Sequence, residues 1–283
     1  MTPGAYRGIF VSDLDGTLLR NGRISADDRD ALAGLRGHGV LRVIATGRSL
    51  HSAEACLPAD FPVDYLILST GNQIMNWKTR EVLRSSRLPG EDVRAICTFL
   101  RGLGVSFMVH DDFPHNHRFA YHRGEARVED FERRLAIHAQ GGREESRCSE
   151  MPAASQIVAI VDAGREALHE HIARSFENHS VIRATSPLDG RSVWIEIFAA
   201  DVSKASGIRH IVEHHGLHGA LVAAIGNDHN DRDMLDLAHV PFKVGDAFLD
   251  DDDRFVMTPD NNDAVAYAVA HYMELLNSGM KQA

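Results

Sequence analysis

The chain has 283 residues, 44% hydrophobic and 25% charged, with a formal net charge of −10, which is length enough for two domains and an ordinary composition for a buried core. The acidic balance excludes a nucleic-acid backbone as partner, since phosphates are bound by basic faces, and no run approaches the ~20 apolar residues of a membrane helix. Residues 1–10 lack the basic region and apolar core of a secretory signal, and Cys56, Cys97 and Cys148 are too few and too scattered for a disulfide framework, so a cytoplasmic setting is expected.

The first predicted element is an apolar run from Ile9 that ends in Ser12-Asp13-Leu14-Asp15-Gly16-Thr17. A short apolar run bounded by turn residues is the pattern of a buried parallel strand. Two carboxylates at its carboxyl end repel each other unless a proton or a cation lies between them, and Gly16 lets the chain turn sharply away. Asp-x-Asp-Gly by itself is equally the composition of a plain turn. Its chemical reading is a divalent metal beside the acids, one of which acts as a nucleophile.

Ser25-Ala26-Asp27-Asp28 then starts a helix, with Ser25 as its cap and two acids at the positive end of the dipole. Ala31, Leu32 and Leu35 give it an apolar stripe, and Gly37 with Gly39 ends it. Residues 40–45 read as a second buried strand, completing a strand–helix–strand unit. That strand runs into Thr46-Gly47-Arg48. A hydroxyl and an unobstructed glycine amide there suit a phosphoryl oxygen, or the capping of the next helix. Residues 63–69 form a third core strand, and Thr70-Gly71-Asn72-Gln73 turns the chain into a hairpin through residues 74–77 and 81–83.

From about Ser85 the texture changes. A helix follows Pro89-Gly90-Glu91 with an apolar face of Val93, Ile96, Cys97, Leu100 and Leu103. Strands are expected at 105–109, 119–121, 156–161, 181–184 and 193–198, and Leu168, Ile172 and Phe176 mark another helix. His110-Asp111-Asp112-Phe113-Pro114-His115-Asn116-His117 carries metal-binding residue types, but its spacing matches no ligand signature. A solvated loop is the simpler expectation, and a loop that helps choose a substrate is a third.

The chain is expected to re-enter the first domain around residues 194–198, after which Val202-Ser203-Lys204 opens a helix anchored by Ile208, Ile211 and Val212. A lysine at the positive end of a helix is misplaced for stability, which points to an anion near Lys204. Residues 221–225 are another buried strand, ending in Gly226-Asn227-Asp228-His229-Asn230-Asp231, an oxygen-rich set suited to magnesium. Short strands at 241–245 and 255–257, an acidic solvated run at 250–253, and a helix bearing Val265, Val269, Tyr272 and Leu276 complete the chain.

Four segments in this order resemble the motif set of the haloacid dehalogenase-like phosphohydrolases: DLDGTLL from Asp13, Thr46-Gly47-Arg48, Lys204 at a helix start, and GNDHND from Gly226. With the strand-rich insertion between the second and third motifs, the chain is similar to subclass IIB, the Cof-type, sugar-phosphatase-like branch. The resemblance implies an α/β fold: a Rossmann-like doubly wound parallel-sheet core from residues 1–84 and 199–283, and an inserted α+β cap of the C2 type at 85–198 that encloses and selects the substrate. It implies Mg2+-dependent hydrolysis of phosphate monoesters of small metabolites, sugar phosphates above all, through an aspartyl-phosphate.

In that scheme Asp13 attacks phosphorus. Asp15 protonates the leaving group and later accepts a proton from water. Thr46, Gly47 and Lys204 hold the phosphoryl oxygens, and Arg48 lies near the substrate. Magnesium falls to Asp13, Asp15, Asn227, Asp228, Asn230 and Asp231. The sequence departs from the resembled pattern, Gly-Asp-x-x-Asn-Asp, at one place: Asn227 stands at the first acid, and Asp228 follows as an extra one. An amide oxygen ligates magnesium without contributing charge, so a relative with weakened metal binding is one alternative. A phosphomutase that returns the phosphoryl group to the sugar is another, and a receiver-like binding module a third; the cap weighs against the last, which has no substrate to enclose.

Overall fold

The apolar run at the start of the chain is β1 (Gly8–Asp13), buried at every residue. The computed structural model describes residues 6–144, 150–250, 252–259 and 262–279; Cys148, and Asp251 of the acidic run, lie outside the described residues. After β1 come α1 (Ala26–Leu35), β2 (Val40–Ala45), α2 (Leu50–Glu54), β3 (Tyr65–Leu68), β4 (Gln73–Asn76) and β5 (Val82–Ser85). The charged residue inside buried β2, Arg42, is accommodated because both oxygens of Asp64 accept from its guanidinium, at 2.9 and 2.7 Å.

Two units divide the chain. One draws on the chain up to Arg48, Glu54–Arg84 and the chain from Ser203 onward; the other on Ser49–Ala53 and Ser85–Val202. The second unit contains β6 (Leu88–Pro89), α3 (Gly90–Gly102), β7 (Ser106–His110), β8 (Phe119–His122), α4 (Glu129–Ile137), β9 (Gly142–Glu144), β10 (Ala153–Ala154), β11 (Gln156–Val161), α5 (Ala167–Ser175), β12 (Ser180–Thr185) and β13 (Val193–Phe198). Its main sheet has the order β12-β13-β11-β7-β8-β9. Residues 194–198 therefore pair inside this unit, and re-entry into the first unit comes only after Val202.

Alternating residues of that sheet are apolar on both faces, so each face takes a cover. Val93, Ile96 and Leu100 of α3 and Ile172 of α5 pack on Phe107, Ile157 and Ile195. Phe131 and Leu135 of α4, a helix the sequence reading did not anticipate, pack on Met108, Val158 and Trp194. His110 is buried at the end of β7, its Nδ1 2.9 Å from the Asn116 carbonyl. Burial pushes its pKa down to about 3. It is a neutral core histidine, which corrects the expectation of a solvated loop at that residue; His115 is exposed.

The first unit resumes with α6 (Lys204–His215), β14 (Leu221–Gly226), α7 (Arg232–Leu237), β15 (Val240–Val244), β16 (Val256–Thr258) and α8 (Ala264–Asn277). Its sheet order is β16-β15-β14-β1-β2-β3-β4-β5, parallel from β16 to β3 with β4 antiparallel to β3. The chain leaves β1 toward β2 and β3 and later adds β14 on the other side, so the strand order reverses at β1. Ligands of open α/β sheets bind beyond the carboxyl ends of the strands at such a reversal, and the residue at that tip is Asp13. No helix among the described residues is long and apolar enough to cross a membrane.

Ser25 caps α1 by accepting from the Asp28 N–H at 3.0 Å. Asp28, one of the two acids at the positive end of the α1 dipole, is fully buried and accepts from the Ala266 N–H of α8 at 2.7 Å. Burial pushes its carboxyl up to about 6, against the opposing bond from Ala266. A group whose folded pKa is raised stabilises most below its unfolded pKa and loses that contribution as pH rises through the folded value. Asp28→Asn, which keeps an acceptor for Ala266, is expected to be less stable than wild type relative to its standing at neutral pH when both are compared near pH 4. Urea midpoints of the two proteins from pH 4 to 7 check this; a difference independent of pH would contradict it.

Candidate active site

Asp13 ends β1 with only 4% of its surface exposed. Across from it, Lys204 opens α6 and is fully buried, its Nζ donating to Asp13 Oδ1 and to Asp231 Oδ1, both at 2.6 Å. The lysine's unfavourable place on the helix is thus offset by two carboxylates. The start of α6 is fastened independently. The Ser203 hydroxyl accepts from the Ser206 N–H at 3.1 Å, Ser206 Oγ accepts from the Ser203 N–H at 3.0 Å, and Asp233 of α7 accepts from the Ala205 N–H at 3.1 Å.

The turn Ser69–Gly71 after β3 sets the depth of that helix. Ser69, Thr70 and Gly71 all have positive φ (45°, 57° and 109°), and a Cβ on Gly71 would collide with the Ser203 carbonyl. Glycine is required there for both conformation and approach. The Thr70 N–H donates to the Thr46 carbonyl at 2.9 Å. The end of β2, the turn after β3 and the start of α6 are therefore locked together.

On the other flank, Asp231 Oδ2 accepts from the Asn227 and Asp228 N–H groups at 2.9 and 3.0 Å. Both Asp231 oxygens are engaged, so this acid shapes the loop after β14 and orients Lys204. The Asn227 side chain lies across the tip of β1 against Gly16, whose φ is 81° and where a Cβ would collide with the amide. Its terminal atom sits 3.0 Å from Thr17 Oγ1, 3.2 Å from Asp13 Oδ2 and 2.9 Å from the Asp15 carbonyl. Arg48 grips Asp15 through two bonds, Nε to Oδ2 at 2.8 Å and Nη2 to Oδ1 at 2.7 Å, while its backbone N–H donates to Thr46 Oγ1 at 3.1 Å.

Burial pushes the Asp13 carboxyl up to about 8; Asp231 adds to the rise and Lys204 opposes it. Burial would lower the Lys204 ammonium, but Asp13 and Asp231 outweigh it and raise it. Two buried carboxyl groups thus share one ammonium, and a cation arriving at the strand tip would favour the ionised form of Asp13. The oxygens beside it suit a hard cation. Octahedral magnesium with bonds of ~2.1 Å sets its ligand oxygens ~3.0 Å apart, and the Asn227 terminal atom lies 3.2 and 2.9 Å from Asp13 Oδ2 and the Asp15 carbonyl. Among the described residues no three His, Cys, Asp or Glu side chains are grouped to hold a metal; this set instead combines one carboxylate, one backbone carbonyl and one amide.

A family model covers the stretch that carries these residues. The model described as haloacid dehalogenase-like hydrolase matches residues 10–269. This chain belongs to that family. The hydrolase is 25% identical over 281 residues to the 5-amino-6-(5-phospho-D-ribitylamino)uracil phosphatase YwtE of Bacillus subtilis (strain 168), covering 91% of this chain and 95% of that protein. Its fold is that of the subclass IIB sugar phosphatase BT4131 (TM-score 0.74, 20% identity, 94% of this chain and 99% of that one). TM0651 from Thermotoga maritima is similar (TM-score 0.70, 22% identity, 94% and 97% covered).

Of the residues singled out in the sequence, the hydrolase joins Asp13, Lys204, Asp231, Asn227, Asp15, Arg48 and Thr46 through the contacts above. Gly47 lies between the last two. Asp228 is buried at the start of the same loop and Asn230 is half-buried on it. Thr17 and Asp233 carry no role in the sequence reading, and the turn expected at Thr70-Gly71 begins at Ser69 and packs on Ser203. Thr17 and Asp233 stand two residues beyond Asp15 and Asp231, close enough in sequence to have been considered; the turn carried no signal of its partner.

Proposed function

We propose that this hydrolase is a phosphatase that cleaves phosphate monoesters of small phosphorylated metabolites, sugar phosphates among them, with Asp13 as nucleophile. The observation that carries this reading is the Lys204 bridge. It holds Asp13 in one rotamer at the carboxyl end of the central strand, with Oδ2 turned to the neighbouring oxygens. A cytoplasmic setting belongs to the same reading, supported by the dispersed cysteines.

The Asp13 carboxylate, the Asp15 carbonyl and the Asn227 amide oxygen would hold magnesium, which when bound would offset the repulsion between a carboxylate and a phosphate dianion. Asp13 attacks phosphorus, forming a bond to its carboxylate oxygen as the bond to the leaving alkoxide breaks. Asp15 gives that alkoxide a proton. It then takes one from the water that attacks the aspartyl-phosphate and releases inorganic phosphate, restoring Asp13. The Lys204 ammonium, the Thr46 hydroxyl hydrogen and the Gly47 N–H stabilise the charge on the phosphoryl oxygens.

Arg48 pairs with Asp15, and we assign it to orienting that acid beside the substrate. Asp231 is assigned to positioning Lys204 rather than to the metal. The second unit is assigned the choice of leaving group, the part its counterpart plays in the resembled subclass. The residues Asp228 and Asn230 complete the loop in this scheme and are given no contact with the ion.

A panel of phosphorylated metabolites assayed for inorganic phosphate with magnesium present tests the reading. Release of phosphate from one or more is expected; a rearranged sugar phosphate without phosphate release would make the protein a mutase. Asp15→Asn should slow esters with poor leaving groups far more than activated aryl esters, because only the former need a proton. Equal losses across leaving groups of different pKa would remove Asp15 from the acid role.

A further inference from the structure

We propose that the Asn227 amide is a built-in occupant of the cation's place: in cation-free protein its NH2 group donates into the oxygen cluster at the tip of β1, and the amide turns over when a divalent cation binds. The inference rests on the function proposed above only in taking that cluster as the cation site. Its basis is the position of a single atom. The terminal atom of Asn227 that faces the cluster has Asp13 Oδ2 at 3.2 Å, the Asp15 carbonyl at 2.9 Å and Thr17 Oγ1 at 3.0 Å. Gly16 packs directly against that amide, where any Cβ would collide with it.

An amide can present either of two atoms at that point, and they have opposite consequences. With oxygen there, Asn227 accepts from Thr17, but meets two further acceptors and turns its NH2 toward donors. That arrangement is repulsive unless a cation lies among the oxygens. With nitrogen there, Asn227 directs its two N–H hydrogens at a cluster of three acceptors and its oxygen faces the donors, so both ends are satisfied. Buried polar groups left without partners are costly, so the second orientation is the one the cation-free protein adopts. An ion that enters must displace these bonds.

A carboxylate at this position has no such alternative. Both of its atoms are acceptors, so it would set a second negative charge beside Asp13, whose carboxyl is already buried and close to Asp231. An acid makes the vacant cluster repulsive and the occupied one tight; the amide reverses both. The predicted consequence is a protein that is stable without its ion and binds it weakly, so that activity rises and falls with the free cation concentration.

The test compares wild type with Asn227→Asp and Asn227→Ala by thermal melting in chelator, and by calorimetric titration with magnesium chloride alone. In chelator, Asn227→Asp and Asn227→Ala are both expected to melt below wild type, the first through repulsion and the second through loss of the donor. Magnesium should then raise the melting temperature of Asn227→Asp more than that of wild type, and bind it about tenfold more tightly, the order by which charge count moves oxygen-ligand sites. Asn227→Ala should gain no more from magnesium than wild type does. Equal melting of the three proteins in chelator would overturn the proposal, as would magnesium binding no tighter to Asn227→Asp than to wild type. Neither readout involves a substrate: magnesium binding in this pattern without monoester hydrolysis would sink the proposed function and leave this inference standing.

Discussion

Asp13→Asn protein is expected to hydrolyse its best phosphate ester about 10⁴-fold or more slowly than wild type, the scale on which enzymes lose turnover when a covalent nucleophile is removed. The fold should be unaffected. Asparagine keeps an oxygen that can accept from Lys204, and it removes a charge that burial disfavours. In chelator the variant should therefore melt at or above the wild-type temperature. A stable Asp13→Asn protein with activity within tenfold of wild type would take the nucleophile's role away from this residue. An inactive but unfolded one would show that the carboxylate is needed for structure.

Lys204→Met is the second large effect, and it acts on stability as well as turnover. Methionine retains much of the lysine stem but leaves Asp13 and Asp231 facing each other in a buried site with no cation between them. Removing one partner from a buried ion pair typically costs about 3–5 kcal/mol, because the remaining charge is uncompensated. Without the ammonium, the Asp13 carboxyl, already raised by burial and by Asp231, loses the charge that holds it down. The deficit should then be smallest at low pH, where a proton replaces the lysine, and grow as pH increases. Lys204→Met/Asp231→Asn should regain part of the lost stability, since it removes one of the repelling charges; such non-additivity is expected of groups in direct contact. Denaturation midpoints of the single and double variants between pH 5 and 8 measure this. Wild-type stability of Lys204→Met across that range would show that the triad is not electrostatically coupled.

The sequence made some of this site legible and hid the rest for identifiable reasons. Asp13, Asp15 and Lys204 stand out because each is chemically out of place: acids end a buried apolar run, and a cation begins a helix. The parallel strands were legible as continuous apolar runs, which only a sheet covered on both faces produces. Nothing local reveals that Arg48 pairs with Asp15, 33 residues earlier. The acidic motif singles out Asp231, but its bonds to Lys204 and to two backbone amides depend on the fold.

The sequence places a turn at Thr70-Gly71-Asn72-Gln73, without a sign of what it packs against. Its requirement for glycine arises from Ser203, a neighbour remote in sequence. The helix α4 was missed although Val128, Phe131 and Leu135 carry a helical spacing, because the surrounding run of charged residues, from Arg123 to Arg134, obscures the stripe. Asp28 is legible as an acid at a helix start, but its burial is not, because that comes from the packing of α8 against α1.

The claim on which the mechanism turns is that the phosphoryl group rests on Asp13 between substrate and water, and the configuration at phosphorus tests it most directly. Hydrolysis of a chiral, isotopically labelled thiophosphate ester in water carrying a third oxygen isotope reports the number of displacements. Two in-line displacements, one by Asp13 and one by water, predict retention of configuration. Inversion, the mark of a single attack by water on the substrate, would contradict the account.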